Sequence, residues 1–298
     1  MDFINIIDTG LMMGLVFAGV VTSLGISFRL LNFPDLTVDG SFALGAAISA
    51  TMIKNDYSII IAIIVSLLAG GIAGIITSVL HTKLHVNKFL SGIIVVTALY
   101  SVLIRVMNGG NISFGTKSTF FDFVNRWDVP GGFSTGTILL LIFFALVIFS
   151  IAYLFLKSSY GIRLRAACLN PELAKLIDLN TTISLLVGLF FTNILSALSG
   201  VLYSLKNSYA DIGFLQGILI ISLASLTIGE KIVDVKKISR ITYILLASIF
   251  GSILYQVIWS IALKFNLEAS DLNIITAVIV ILLFFWNRNK NVTNLELQ

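Results

Sequence analysis

Charge, proline, histidine and cysteine are all scarce in this chain, and each shortage excludes something. Asp, Glu, Lys and Arg together make up 11% of 298 residues, less than half the share found in soluble domains. Hydrophobic residues reach 57% and the mean hydropathy is +1.02. An ordinary soluble protein is excluded, and no polar stretch is long enough (beyond about 30 residues) to fold as a separate soluble domain. The single cysteine, Cys168, excludes an intrachain disulfide and a cysteine-based metal cluster. The only two histidines, His81 and His85, stand four residues apart. Helical histidines at that spacing can share a metal, but a third ligand and a hydrolase glutamate are missing, so interfacial packing is the preferred reading and no metal is expected. No G-x-x-x-x-G-K-[ST] loop exists. The nearest approach, Gly115-Thr116-Lys117-Ser118, is out of register. A net charge of +4 does not point to nucleic acid, because basic residues of a membrane chain sort by side of the bilayer.

What remains is a succession of apolar runs. Bounded by charges, they predict an all-α polytopic membrane bundle of about nine spans, at 9–28, 40–53, 58–80, 89–106, 136–156, 182–204, 217–229, 241–262 and 272–286. The second and seventh are short. The whole chain, 1–298, reads as one transmembrane domain in a lipid bilayer. Its start, Met1-Asp2-Phe3-Ile4, has no basic n-region or small-residue cleavage site and reads as a retained helix. With the N-terminus outside and the C-terminus inside, about 13 Lys and Arg fall on the cytoplasmic side. Lys54, Arg105, Lys117, Arg126, Lys206 and Lys264 fall outside. Small residues at four-residue spacing, Gly10, Gly14 and Ala18, then Gly70 and Gly74, predict close helix packing. The long–short pairs, spans one and two and spans six and seven, run in opposite directions under this topology. An inverted repeat would look like this; chance similarity of two apolar stretches is the alternative.

Between spans one and two the chain breaks: Leu31-Asn32-Phe33-Pro34-Asp35-Leu36-Thr37-Val38-Asp39-Gly40-Ser41. Irregular backbone at membrane depth must be buried in protein or line a wet cavity. The expected substrate path therefore includes Asn32, Phe33, Pro34, Asp35, Thr37, Asp39, Gly40 and Ser41, with Pro34 and Gly40 setting the backbone. Asp39 is expected to cap span two, whose first turn would hold Gly40 and Ser41. Asp35 has no preferred role. The loop between spans four and five carries Phe114, Phe120, Phe121, Trp127 and Pro130. It reads equally as a docking platform for another protein or, through Phe120, Phe121 and Trp127, as a set of interfacial anchors.

The loop over 157–181 is the most unusual inside segment. Asn170 suits an N-cap, Pro171 the first helical position and Glu172 the positive end of the dipole, predicting a helix over about 171–178. Leu173, Leu176 and Ile177 would share one face, suited to a partner protein. The pattern Gly161-x-Arg163-x-Arg165-Ala166-x-x-x-Asn170, with Ala174 beyond it, resembles the coupling segment of ABC importer permeases of the branched-chain amino acid and monosaccharide group. The Asn32-Phe33 break, with Gly40 and Gly45, is similar to the break between that group's first two helices. Its Pro-Asp-Leu-Thr-Val insert most closely resembles a branch that includes tryptophan and tyrosine import systems. The resemblance implies a permease subunit without its own ATPase site, in a bacterial inner membrane. It also implies a second copy of the chain, two ATP-binding cassette subunits, and an extracytoplasmic binding lipoprotein that delivers a small amino acid, aromatic favoured. The coupling residues would be Gly161, Arg163, Arg165, Ala166, Asn170, Glu172 and Ala174, and ATP would be bound by the partner subunit. The alternative from the residues themselves is an ion-coupled secondary transporter, which would use the aspartates of the break. An intramembrane enzyme ranks last, since no nucleophile is paired with a base at depth.

Overall fold

A computed structural model describes residues 3–115, 117–125, 133–176, 179–215, 217–233 and 238–264. Long helices dominate: α1 (Phe3–Gly25), α2 (Thr37–Lys54), α3 (Ile59–Thr82), α4 (Lys88–Met107) and, after strand β1 (Asn111–Ser113) and the single-turn α5 (Phe120–Val124), α6 (Thr135–Lys157). Two short helices follow, α7 (Ser159–Leu169) and α8 (Pro171–Leu176), and then α9 (Thr181–Asn207). Strand β2 (Tyr209–Asp211) and a 3₁₀ turn (Ile212–Leu215) lead into α10 (Ile218–Ile232) and α11 (Arg240–Lys264).

Eight of the expected spans coincide with α1, α2, α3, α4, α6, α9, α10 and α11, and the ninth, 272–286, lies outside the described residues. Six helices among the described residues are long and apolar enough to cross a membrane. The two that are not are α2, with 18 residues, and α10, with 15, matching the short second and seventh runs. Asparagine sets several boundaries. The Asn87 side chain accepts from the Phe89 N–H at 3.0 Å to open α4, and Asn180 accepts from the Ile183 N–H at 3.1 Å to open α9. Asn108, in the left-handed region at φ 53°, closes α4.

The packing is reciprocal. Helix α1 lies on α11 and α9 lies on α3, while α2 packs on α3 and α10 on α11. Small residues permit these approaches. A Cβ at Gly14 would run into the backbone at Ile253, one at Gly74 into that at Leu189, and one at Gly200 into the Phe42 carbonyl. At the end opposite α7 and α8, β1 and β2 form an antiparallel ribbon with Ile112 opposite Ala210. The sequence reading did not anticipate it. Trp127 and Pro130 of the aromatic loop lie outside the described residues, as does Ile177. Of the expected anchors, Phe121 is buried, so its ring packs inside the protein and does not act as a membrane anchor, and Phe120 is half-buried.

Two expectations need correction. The segment 157–181 is not a loop carrying one helix. Residues 159–169 are helical as well, with the Ser158 side chain accepting from the Gly161 N–H at 3.1 Å as N-cap, and the expected helix is present over Pro171–Leu176, its last two residues lying outside the described ones. And Asp39 does not cap α2. That helix begins at Thr37, so Asp39 already sits in its first turn. The local bond belongs to Asp35, which accepts from the Thr37 N–H at 2.9 Å.

Candidate functional site

The break is built in three steps. Helix α1 widens into a π-helical turn over Ile26–Leu30, with the Leu31 N–H donating to Ile26 O at 3.0 Å. The Phe33 N–H then reaches back to Ser27 O at 2.9 Å across Asn32, which takes φ 50°. The Asx turn at Asp35 launches α2. Leu36 meets Gly92 on α4, and Gly40 faces Val96 and Leu99. Since Gly92 stands four residues into α4, α2 begins about 6 Å below that end of the bundle, and Gly40, opposite Val96 and Leu99, lies about 12–16 Å below it.

Around Asp35 lies a buried polar network. Asn193 on α9 donates from Nδ2 to the Asp35 carboxyl at 2.7 Å and to Leu189 O at 2.8 Å, while its Oδ1 accepts from Ser41 Oγ at 2.6 Å. Two acceptors on one side and a hydroxyl on the other fix the amide orientation. The hydroxyls of Thr37 and Thr77 lie 2.5 Å apart, and Ser196 Oγ donates to Val38 O at 2.7 Å. Of the eight expected path residues, Phe33, Asp35, Thr37, Gly40 and Ser41 are buried within the chain, Pro34 and Asp39 are half-buried and Asn32 is exposed. The structure brings Asp35 and Ser41 together through Asn193, and Thr37 to Thr77. Neither Asn193 nor Thr77 was foreseen, though an asparagine in an apolar span was a visible signal.

Asp39 stands apart. Its Oδ1 has no hydrogen-bond partner among the described residues, and the Leu219 amide in the first turn of α10 acts on its carboxyl. The N-terminal turns of the two short helices therefore meet there, one turn from Phe42. Phe42 stacks on Phe17 at 5.6 Å and meets Tyr203 and Phe214 edge-on at 5.9 and 6.1 Å.

The expected coupling residues divide by face. Arg163, Ala166, Asn170 and Glu172 are exposed, as is Leu176 at 81%. Gly161 and Ala174 are buried, and Gly161 lies against the carbonyls of Phe155 and Leu156, where a Cβ would collide. Arg165 folds back: its Nε donates to Gly161 O and its Nη2 to Leu156 O, each at 3.3 Å, so it satisfies the end of α6. Burial, and then the nearby Arg240, hold its guanidinium below the usual arginine range. On the same end Arg29 pairs with Glu230 through two bonds of 2.7 and 2.8 Å, and Arg240 donates to Arg29 O at 3.1 Å. No feature of the sequence pointed to that pair, 201 residues apart.

Six helices long and apolar enough to cross a membrane, with two shorter ones packed among them, mark a polytopic helical membrane protein. The family described as branched-chain amino acid transport system, permease component, matches residues 6–285, and the chain belongs to it. The chain is 31% identical over 292 residues to the tyrosine transport system permease protein of Clostridioides difficile (strain R20291), covering 97% of this chain and 92% of that one. It is also 31% identical over 282 residues to an uncharacterised protein of Rickettsia prowazekii (strain Madrid E), covering 93% and 95%. No solved structure matches. Membership in a permease family implies a transport component that works with an ATPase and a binding protein and has no catalytic activity of its own.

Proposed function

We propose that the chain is the membrane-spanning subunit of an ATP-driven importer that moves a small amino acid, aromatic favoured, delivered by an extracytoplasmic binding protein. Two copies form the pathway in a bacterial inner membrane, with the N-terminus outside and the C-terminus inside. The observation that carries this reading is the α7–α8 pair. Its inner face is locked by Gly161, Leu164, Arg165 and Ala174, while Arg163, Ala166, Asn170, Glu172 and Leu176 are presented outward. Two ATP-binding subunits dock on this face, one per copy, and closure of the ATPase pair switches the pathway between inward- and outward-facing states. Asn32, Pro34 and Asp39 face the path, and Phe33, Asp35, Thr37, Gly40 and Ser41 hold its backbone. The reciprocal packing of α1 on α11 and α9 on α3 supports an inverted repeat. A tyrosine permease relative supports the aromatic substrate.

Replacing Arg163 with Glu is expected to abolish co-purification of the ATPase while membrane insertion and melting temperature stay unchanged. Unchanged co-purification counts against the docking face. Proton- or sodium-driven uptake by this chain alone in liposomes would replace the reading with a secondary transporter.

A further inference from the structure

Between the break and the proposed docking helix lies a cavity of about 150 Å³. Its lining includes Leu31 and Phe33 from the break, His81 and Lys88 at the α3–α4 corner, Cys168 from α7 and Thr181 from α9. Its chemistry is one-sided. No Asp or Glu is found among the described residues that line it, and Lys88 stands in its wall. The Lys88 ammonium gives one hydrogen bond to Asn32 O at 2.9 Å and sits 5.8 Å from the centre of the Phe33 ring. An ammonium has three donors, and its one described hydrogen-bond partner is neutral. Helix ends of both signs meet here: α4 starts at Lys88 and α9 at Thr181, while Thr82 closes α3 and Cys168 lies one residue before the end of α7, so the helix dipoles largely cancel and the charge of the cavity is that of Lys88. A partly enclosed cavity whose one charged side chain among the described lining residues is a lysine favours an anion.

We propose that this cavity binds a small anion through its carboxylate or phosphate oxygens, with Lys88 as the counter-charge. The anion is either a free metabolite or the phosphate of a lipid headgroup. Because α7 supplies one wall and the break another, an occupant bridges the proposed ATPase-docking helix and the proposed path. Naming the side as cytoplasmic rests on the proposed orientation; the binding itself does not.

The only cysteine of the chain lines this cavity, so the native protein carries its own reporter. Whole chain in phosphatidylcholine nanodiscs is alkylated with N-ethylmaleimide at fixed pH and ionic strength, with chloride replaced by acetate or inorganic phosphate. Cys168 modification is expected to slow at least about threefold in one or more of these relative to chloride. Lys88→Met loses the protection, Lys88→Arg keeps it, and Lys83→Met, outside the cavity, keeps it as well. Slowing in phosphatidylglycerol discs without added anion assigns the site to a lipid phosphate. Equal rates in every anion and both lipids, or equal protection in Lys88→Met, overturn the proposal. The readout involves neither ATPase nor transport, so its failure is separate from failure of the importer reading.

Discussion

Asn193 is the most economical place to disturb the break without touching it. Replacing it with Leu keeps roughly the same volume but removes two bonds that matter elsewhere. The Asp35 carboxyl loses its 2.7 Å donor and keeps the Thr37 N–H; Ser41 Oγ loses its 2.6 Å acceptor and keeps a weak 3.4 Å contact with Gly70 O. Both groups are buried, and each orphaned partner costs about 1–3 kcal/mol, so a total of roughly 3 kcal/mol is expected. Unfolding entropy of about 2.1 cal/mol/K per residue gives roughly 0.6 kcal/mol/K for a chain of this length, so the melting temperature should fall by about 5 °C. The assay is thermal unfolding of purified protein, followed by intrinsic fluorescence. Adding Ser41→Ala to Asn193→Leu should cost less than the sum of the two alone by about 1 kcal/mol, because one orphan disappears. A single-variant shift below 1 °C, or strict additivity, would refute the network as the clamp on the break.

Three further outcomes follow from the same geometry. Gly200→Val drives a side chain into the Phe42 carbonyl and should abolish stable folding or lower the melting temperature by several degrees, whereas Gly110→Val, with only Ile212 at 3.9 Å, should not; equal melting temperatures would refute the close α2–α9 approach. The Arg29–Glu230 pair is partly solvated, with side chains 47% and 18% exposed, so Glu230→Gln should cost no more than about 1 kcal/mol and the Arg29→Glu/Glu230→Arg swap should recover most of it in melting experiments. Burial pushes the Cys168 thiol up to about 11, and only the thiolate reacts. Maleimide labelling at pH 7.5 should therefore run about a few hundred-fold slower than that of a free cysteine, rising about tenfold per pH unit until near pH 11; a plateau below pH 9 would contradict the burial.

How much of this was legible in the sequence depends on whether the signal was local. Pro34, Asp35, Asp39 and Gly40 interrupt an apolar run, so the break announced itself, and the two short spans followed from counting. Helix α7 was missed although its pattern was present: a Ser158 cap followed by Gly161, Leu164 and Ala167 at three-residue spacing, all three buried. The two arginines and the glycine made a loop look more natural. The cap at Asp39 was misplaced by one turn because Asp35, two residues before Thr37, makes the better Asx turn and lets α2 start earlier. Pairings across the fold had no local trace. The three-residue strands are too short for alternation, and Arg29 finds Glu230 only once α1 and α10 are side by side.

The position of α9 explains why a break so rich in exceptions is held in one conformation. Three of its polar residues, at three-residue intervals, grip three successive pieces of the first helix pair. Asn193 holds Asp35 in the break, and Ser196 holds the Val38 carbonyl at the start of α2. Ser199 enters the backbone ladder of α1, donating to Val16 O at 2.8 Å and accepting from the Val20 N–H at 2.9 Å. A hydroxyl placed between a carbonyl and the N–H four residues on opens the ladder locally, which is a recognised origin of helix bending. All three contacts lie on one stripe of α9, so the helix cannot turn about its axis without breaking bonds to α1, the break and α2 together. The same helix starts at Thr181, five residues beyond α8. One continuous, hydrogen-bonded rod thus runs from the end that carries the exposed helical pair to the residues that shape the break. Displacement of its foot has to be taken up at Asp35, Val38 and the opened turn of α1, because no flexible joint lies between them.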